Sequence, residues 1–271
     1  MVQCPLIPFI KEITNLKKIL QLTITALLLC QLTLPLQART AISKTVGKFD
    51  YYTLALSWHP AFCESKPNKS ECKSQHEKRF YASNFVLHGL WPNVKGDKRH
   101  TYGYCNVPKN IARRGRRRCK MPKLDLSVEV RNSLNKFMPA TVSCLQRHEW
   151  YKHGSCSGLS ENDYYALSNR LVEMFSKTRF SQYVANNVGK FVKRKKLLKK
   201  FDQEFGKGSN AYLALKCHKV RGTSLLTELQ IHLKKNLSGG RDFKDLFPKR
   251  RFRVRGSCPR RFKIDKVGIG K

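Results

Sequence analysis

Two stretches of the chain hold residue types able to do chemistry: Phe85-Val86-Leu87-His88-Gly89-Leu90-Trp91-Pro92 and His148-Glu149-Trp150-Tyr151-Lys152-His153-Gly154-Ser155-Cys156. On a helix four residues advance about 400°, so Glu149 and His153 share a face and Lys152 lies one turn from Glu149. An imidazole, a carboxylate and an ammonium thus converge on one patch. That mixture suits proton transfer on a substrate that gains negative charge as it reacts. His88 ends an apolar run, and the Gly89 that follows lets backbone or ligand approach closely. Two histidines, a carboxylate and a lysine fit metal-free cleavage of a phosphodiester that carries its own nucleophile. RNA has that nucleophile in its 2′-OH, and DNA does not.

A zinc hydrolase competes with this reading, because His148-Glu149 opens like H-E-x-x-H. The second ligand position is Lys152, however, and His153 lies roughly 140° around a helix from His148, so the two imidazoles diverge. No metal or cofactor is expected. A third alternative, a basic protein that only coats nucleic acid, would have no need of His88, Glu149, Lys152 and His153 together. The remaining histidines are weaker candidates. His76, His100 and His218 read as surface residues, His232 as the polar face of a strand, and Trp150 as core.

The elements that must position these groups can be read from periodicity. Phe49 to Leu56 and Asn84 to Leu90 read as strands. Leu126, Val130, Leu134 and Phe137 recur at helical spacing. Ser160 with Asp163 resembles a capping box before the helix face Leu167, Leu171 and Phe175. A further helix covers Leu197 to Phe205 and closes at Gly206. A strand near the end places Leu225, Thr227, Leu229, Ile231 and Leu233 on one face and Glu228, Gln230 and His232 on the other. Strands and helices mix without regular βαβ alternation, which predicts an α+β fold with an antiparallel central sheet flanked by helices.

The 271 residues include 54 Lys+Arg against 18 Asp+Glu, a formal charge of +36. With 41% hydrophobic residues the chain can build a core, which excludes a disordered polycation and leaves a globular protein with a polyanionic partner. The cations concentrate in three blocks: Arg113, Arg114, Arg116, Arg117, Arg118 and Lys120; Lys193, Arg194, Lys195, Lys196, Lys199 and Lys200; and Lys249, Arg250, Arg251, Arg253, Arg255, Arg260 and Arg261. They imply electrostatic capture of RNA, and contact with anionic surfaces, without sequence preference.

Residues 1–38 have the layout of a secretory signal peptide: Lys11, Lys17 and Lys18, then an apolar run from Ile19 to Leu36, then Leu36-Gln37-Ala38. Residues 39–271 then form one exported domain, secreted or periplasmic, and nothing demands more than a monomer. Beyond Cys4 and Cys30 the chain has eight cysteines, an even number as disulfides in an exported protein require, although eight can pair in about a hundred ways.

The two motif stretches resemble the active-site signatures of the ribonuclease T2 family. The resemblance extends to 49–63 and to Gly256-Ser257-Cys258 and Ile264-Asp265-Lys266, where it is nearest to the bacterial periplasmic members. It implies a disulfide-bridged fold of that family and an endoribonuclease in which His153 is general base, His88 general acid, and Glu149 and Lys152 stabilise the pentacovalent phosphorus. His148 is similar to a phosphate-binding position, and Trp91 to one beside a base-binding site. Asn93 stands where some relatives select the base with Asp, and His59 is a weak candidate for a second base site. The resemblance also implies the pairs Cys105–Cys156 and Cys217–Cys258, with Cys63–Cys72 and Cys119–Cys144 as additions of the bacterial type.

Overall fold

The computed structural model describes residues 44–73, 75–97, 101–115, 117–249 and 254–268. The leader with Cys4 and Cys30, His100, and Arg116, Arg250, Arg251 and Arg253 of the basic blocks lie outside the described residues. In chain order the elements are β1 (Tyr51–Ser57), α1 (His59–Ser65), β2 (Val86–Asn93), a single turn α2 (Lys109–Ala112), α3 (Val128–Phe137), α4 (Leu145–Lys152), α5 (Glu161–Ser176), α6 (Arg179–Ala185), β3 (Phe191–Lys193), α7 (Arg194–Phe205), β4 (Leu213–Val220), β5 (Thr223–Lys234) and β6 (Arg261–Lys263).

The helices begin and end where their local chemistry directs. Ser127, Ser160 and Thr178 cap α3, α5 and α6 by accepting from the backbone N–H three residues on, each satisfying one orphan donor. Gly206, at φ 102°, ends α7 in a conformation that a side chain disfavours. Val130, Leu134 and Phe137 of α3, Leu171, Val172 and Phe175 of α5, and Leu197 and Phe201 of α7 are buried. Among the described residues no helix is long and apolar enough to cross a membrane.

Among the described residues the sheet has six strands in the order β2-β1-β5-β6-β3, with β4 also pairing β5. Its ladders are antiparallel, apart from one parallel bridge between β5 and β6 at Leu225 and Lys263. Leu54 and Leu56 of β1 lie beside Ile231 and Leu229 of β5, and all four are fully buried, each contributing ~1.5–3 kcal/mol over exposure. The other face carries Thr53, Ala55 and Ser57 beside His232, Gln230 and Glu228, with Trp91 and Gly89 of β2 opposite Thr53 and Ala55. This second face is where the chemistry sits.

Two bulges break the pairing. On β2 the partner of Ala55 is Gly89 and that of Leu56 is Leu87, so His88 is the extra residue. On β5 the partners of Lys216 and Cys217 are Glu228 and Leu226, which leaves Thr227 extra. The simple alternation expected over 225–233 is therefore corrected: it holds from Glu228 onward, but Leu225 and Leu226 are both buried and Thr227 is only half-buried. Bulges bend a strand and re-aim its side chains, and they recur beside active sites.

Among the described residues four disulfides join Cys63 to Cys72, Cys105 to Cys156, Cys119 to Cys144 and Cys217 to Cys258. Cys156 follows a short turn after α4, so the second bridge ties the end of that helix to the segment around Cys105.

Candidate active site

Four side chains meet on the polar face of the sheet: His88 and Trp91 from β2, Glu149 from α4, and His153 from the helix's C-cap. The helix ends one residue short of His153, but that residue keeps right-handed helical backbone angles (φ −118°, ψ −52°) and donates its N–H to the Glu149 carbonyl at 2.9 Å. The shared face read from the sequence therefore survives the helix end.

Glu149 is 2% exposed and its carboxylate is clamped. Trp91 Nε1 donates to Oε2 at 2.7 Å, and His88 Nε2 lies 3.7 Å from Oε1. Gly89 makes this possible, because a Cβ there would overlap both the Glu149 carboxylate and the Trp91 indole nitrogen. Trp91 is in contact with both imidazoles. The His153 ring stacks on it at 5.2 Å and 28°, and the His88 ring meets its edge at 5.2 Å and 81°.

Sequence reasoning missed one member. Glu228 of β5 reaches across β1 to His88, with Oε2 2.6 Å from Nδ1, and its other oxygen accepts from Gln230 Nε2 at 2.8 Å. The only sequence signal was a carboxylate on the polar face of a half-buried strand. Which residue it would meet depended on the β2 bulge.

The charges set the proton positions. Burial by itself would lower the His88 pKa, but the hydrogen bond to Glu228 and the charges of Glu149 and Glu228 outweigh burial and the opposing Lys152, raising it to about 9. His88 is thus protonated at neutral pH, with Nδ1–H committed to Glu228 and Nε2–H directed at the site. Burial pushes Glu149 above the usual carboxylate range against the pull of His88, Trp91 and Lys152. Glu228 goes the other way: its burial is overcome by the bond to His88, and its pKa falls. Burial, then Lys152, Arg118 and His88, bring His148 down to about 4, so it is neutral near pH 7. Lys152 acts on His88, Glu149 and His148 alike, which places its charge among them.

A cleft of about 370 Å³ opens from His88 and Glu228 across Ser57 to Lys216 and His218, walled by Arg118 and Leu145. His218 is exposed, as read from sequence, and also lines this cleft. His59 opens α1, two residues after the end of β1. It is buried, with Nε2 3.1 Å from the Glu71 carbonyl oxygen and its ring 4.6 Å from Tyr81. Asn93 Nδ2 donates to Thr53 Oγ1 and to the Trp91 carbonyl, so its amide braces the strand. Trp150 packs its edge on Tyr164, in keeping with a core role. His59, Cys63 and Cys72 cluster at metal-ligand distances, but the two sulfurs are bonded to each other.

A six-stranded sheet, four bridges, and two histidines gathered with a carboxylate and a lysine are the features of a known family of enzymes. The family model for the ribonuclease T2 family matches residues 49–242, and the chain belongs to this family. It is 31% identical to ribonuclease I of Escherichia coli K12 over 90% of this chain and 97% of that protein. It is 25% identical to ribonuclease S-2 of Pyrus pyrifolia, over 73% of this chain and 82% of that one. Among solved structures, ribonuclease MC1 from bitter gourd seeds shares the fold with a TM-score of 0.54 at 20% identity, over 80% of this chain and all of that one. The protein is a ribonuclease.

Proposed function

We propose that the protein is an exported endoribonuclease that cleaves single-stranded RNA by transesterification through a 2′,3′-cyclic phosphate, with no metal required. His153 removes the proton from the 2′-OH, the oxygen attacks phosphorus, and His88 Nε2–H protonates the departing 5′ oxygen. Lys152 and protonated His88 offset the charge that grows on the phosphoryl oxygens. Glu149 holds Trp91 and pairs with His88, while Trp91 is in contact with both the acid and the base. The observation that carries this reading is that contact: both imidazoles touch Trp91, and Glu149 fixes its ring nitrogen. His148, neutral when the site is empty, would meet a phosphate by hydrogen bonding and gain its proton as the anion arrives.

The same electrostatics separate the two steps. Hydrolysis of the cyclic phosphate reverses the roles and needs His88 as base. With a pKa of about 9, only ~1% of His88 is unprotonated at pH 7, so cyclic ends should accumulate. Residues 1–38 act as the leader, and 39–271 as a monomeric catalytic domain that is secreted or periplasmic, a setting that suits four disulfides.

The test is to map the termini of fragments made from single-stranded RNA in EDTA, with single-stranded DNA as control. Cyclic phosphate ends on RNA and intact DNA are expected. His88→Ala and His153→Ala should each lower turnover at least ~10²-fold. Normal turnover by the doubly substituted protein would overturn the assignment.

A further inference from the structure

A second, larger cleft of about 920 Å³ lies beside the first and shares two wall residues with it, Glu71 and Pro139. These belong to the turns Ser70–Cys72 and Pro139–Ser143, which form the boundary between the clefts. The second cleft is strongly basic. Lys78, Arg79, Arg131 and Lys136 line it, and Glu71 is the one carboxylate among its described lining residues. Lys136 Nζ sits 5.7 Å from the centre of the Phe80 ring, so cation and aromatic surface are presented together. This is the combination that holds single-stranded nucleic acid: charge for the backbone and π-faces for the bases.

Two buried acceptors add to it. Glu71 is 7% exposed, and its Oε2 has no hydrogen-bond partner among the described residues. The same holds for Gln146 Oε1, in the wall of the second cleft. A carboxylate at the boundary repels a phosphate but accepts from the amino or imino N–H of a base.

We propose that this second cleft is a continuation of the RNA path, holding nucleotides of the same strand away from the scissile bond through their phosphates. The inference rests on the ribonuclease reading above and extends it. A dinucleotide spanning the scissile phosphate reaches from the His88 end of the first cleft but not past Glu71 and Pro139, whereas a longer strand gains the second. At more than twice the volume, that cleft has room for more than one nucleotide.

The experiment compares two variants that lose the same charge: Lys78→Gln/Arg79→Gln/Lys136→Gln in the cleft, and Lys48→Gln/Lys190→Gln/Lys207→Gln, exposed lysines outside the three basic blocks and both clefts. Each is assayed for kcat/KM on a dinucleoside monophosphate and on an unstructured 20-nucleotide RNA. In the cleft variant the 20-mer should lose at least ~10-fold and the dinucleotide less than ~2-fold. Its salt slope should fall by about 2, at about 0.7 per phosphate contact. The control variant should lose less than ~3-fold on either substrate. Equal losses in both variants would mean bulk attraction only and overturn the proposal, as would equal losses on both substrates. If the unsubstituted protein cut neither substrate, the ribonuclease reading would fail by itself, and binding of the 20-mer to the same variants, by fluorescence anisotropy, would still decide the cleft. Unchanged RNA binding with lost binding to anionic phospholipid vesicles would overturn it in favour of a membrane surface.

Discussion

Replacing Glu228 with Gln should move the two chemical steps in opposite directions. The substitution keeps an oxygen to accept from His88 Nδ1 but removes the charge 2.6 Å away. Three influences raise His88 from 6.5 to about 9, and two of them belong to Glu228: its hydrogen bond and its charge. Burial, the largest opposing influence, remains, and so does Glu149. The His88 pKa should therefore drop by at least ~1 unit, each unit being about 1.4 kcal/mol of differential stabilisation of the charged ring. If it returned to 6.5, protonated His88 at pH 7 would fall from about 99% to about a quarter, and the free base would rise from ~1% to about three quarters. The alkaline limb of the transesterification profile should shift to lower pH. At pH 7, hydrolysis of a 2′,3′-cyclic nucleotide should speed up by at least ~10-fold. The assay is paired pH profiles of the two steps, with an NMR titration of the His88 ring in both proteins. An unmoved His88 titration, or slower cyclic-phosphate hydrolysis at pH 7, would refute the reasoning.

Gly89→Ala should lower kcat ~10–100-fold with the fold retained, since the added methyl displaces the Glu149 carboxylate and Trp91; near-unchanged kcat together with an unchanged circular dichroism spectrum would contradict this. Cys105→Ser/Cys156→Ser should cost ~2–4 kcal/mol in urea unfolding. It should also reduce kcat more than Cys63→Ser/Cys72→Ser, because the Tyr104 N–H donates to the Lys152 carbonyl at 2.8 Å beside that bridge. His148 has a folded pKa of about 4, below the 6.5 of an ordinary histidine, so the unfolded chain takes up this proton first. Stability should therefore decline as pH falls from about 6.5 through about 4, and thermal melts of His148→Gln should show a shallower acid slope.

Much of the site could be read in the sequence because it is local. Glu149, Lys152 and His153 lie within five consecutive residues, and helical spacing alone puts them on one patch. The caps at Ser160 and Gly206 are likewise local, since a cap depends on the residue and its neighbours within one turn. Trp91 was placed beside a base site by resemblance; the structure also gives it contacts to Glu149 and both imidazoles that no spacing along β2 could reveal.

What the sequence determined by itself was therefore the inventory of reactive groups, the α+β class, and an excess of positive charge suited to a polyanion. Only the tertiary structure decided that His88 is the bulged residue of β2, that Glu228 from a strand 140 positions away is its partner, and that two clefts share a wall at Glu71 and Pro139. The physical reason is that alternation along a strand is set by neighbours two residues apart. A bulge, an ion pair across three strands and a groove between turns are set by pairings whose register the local pattern does not encode.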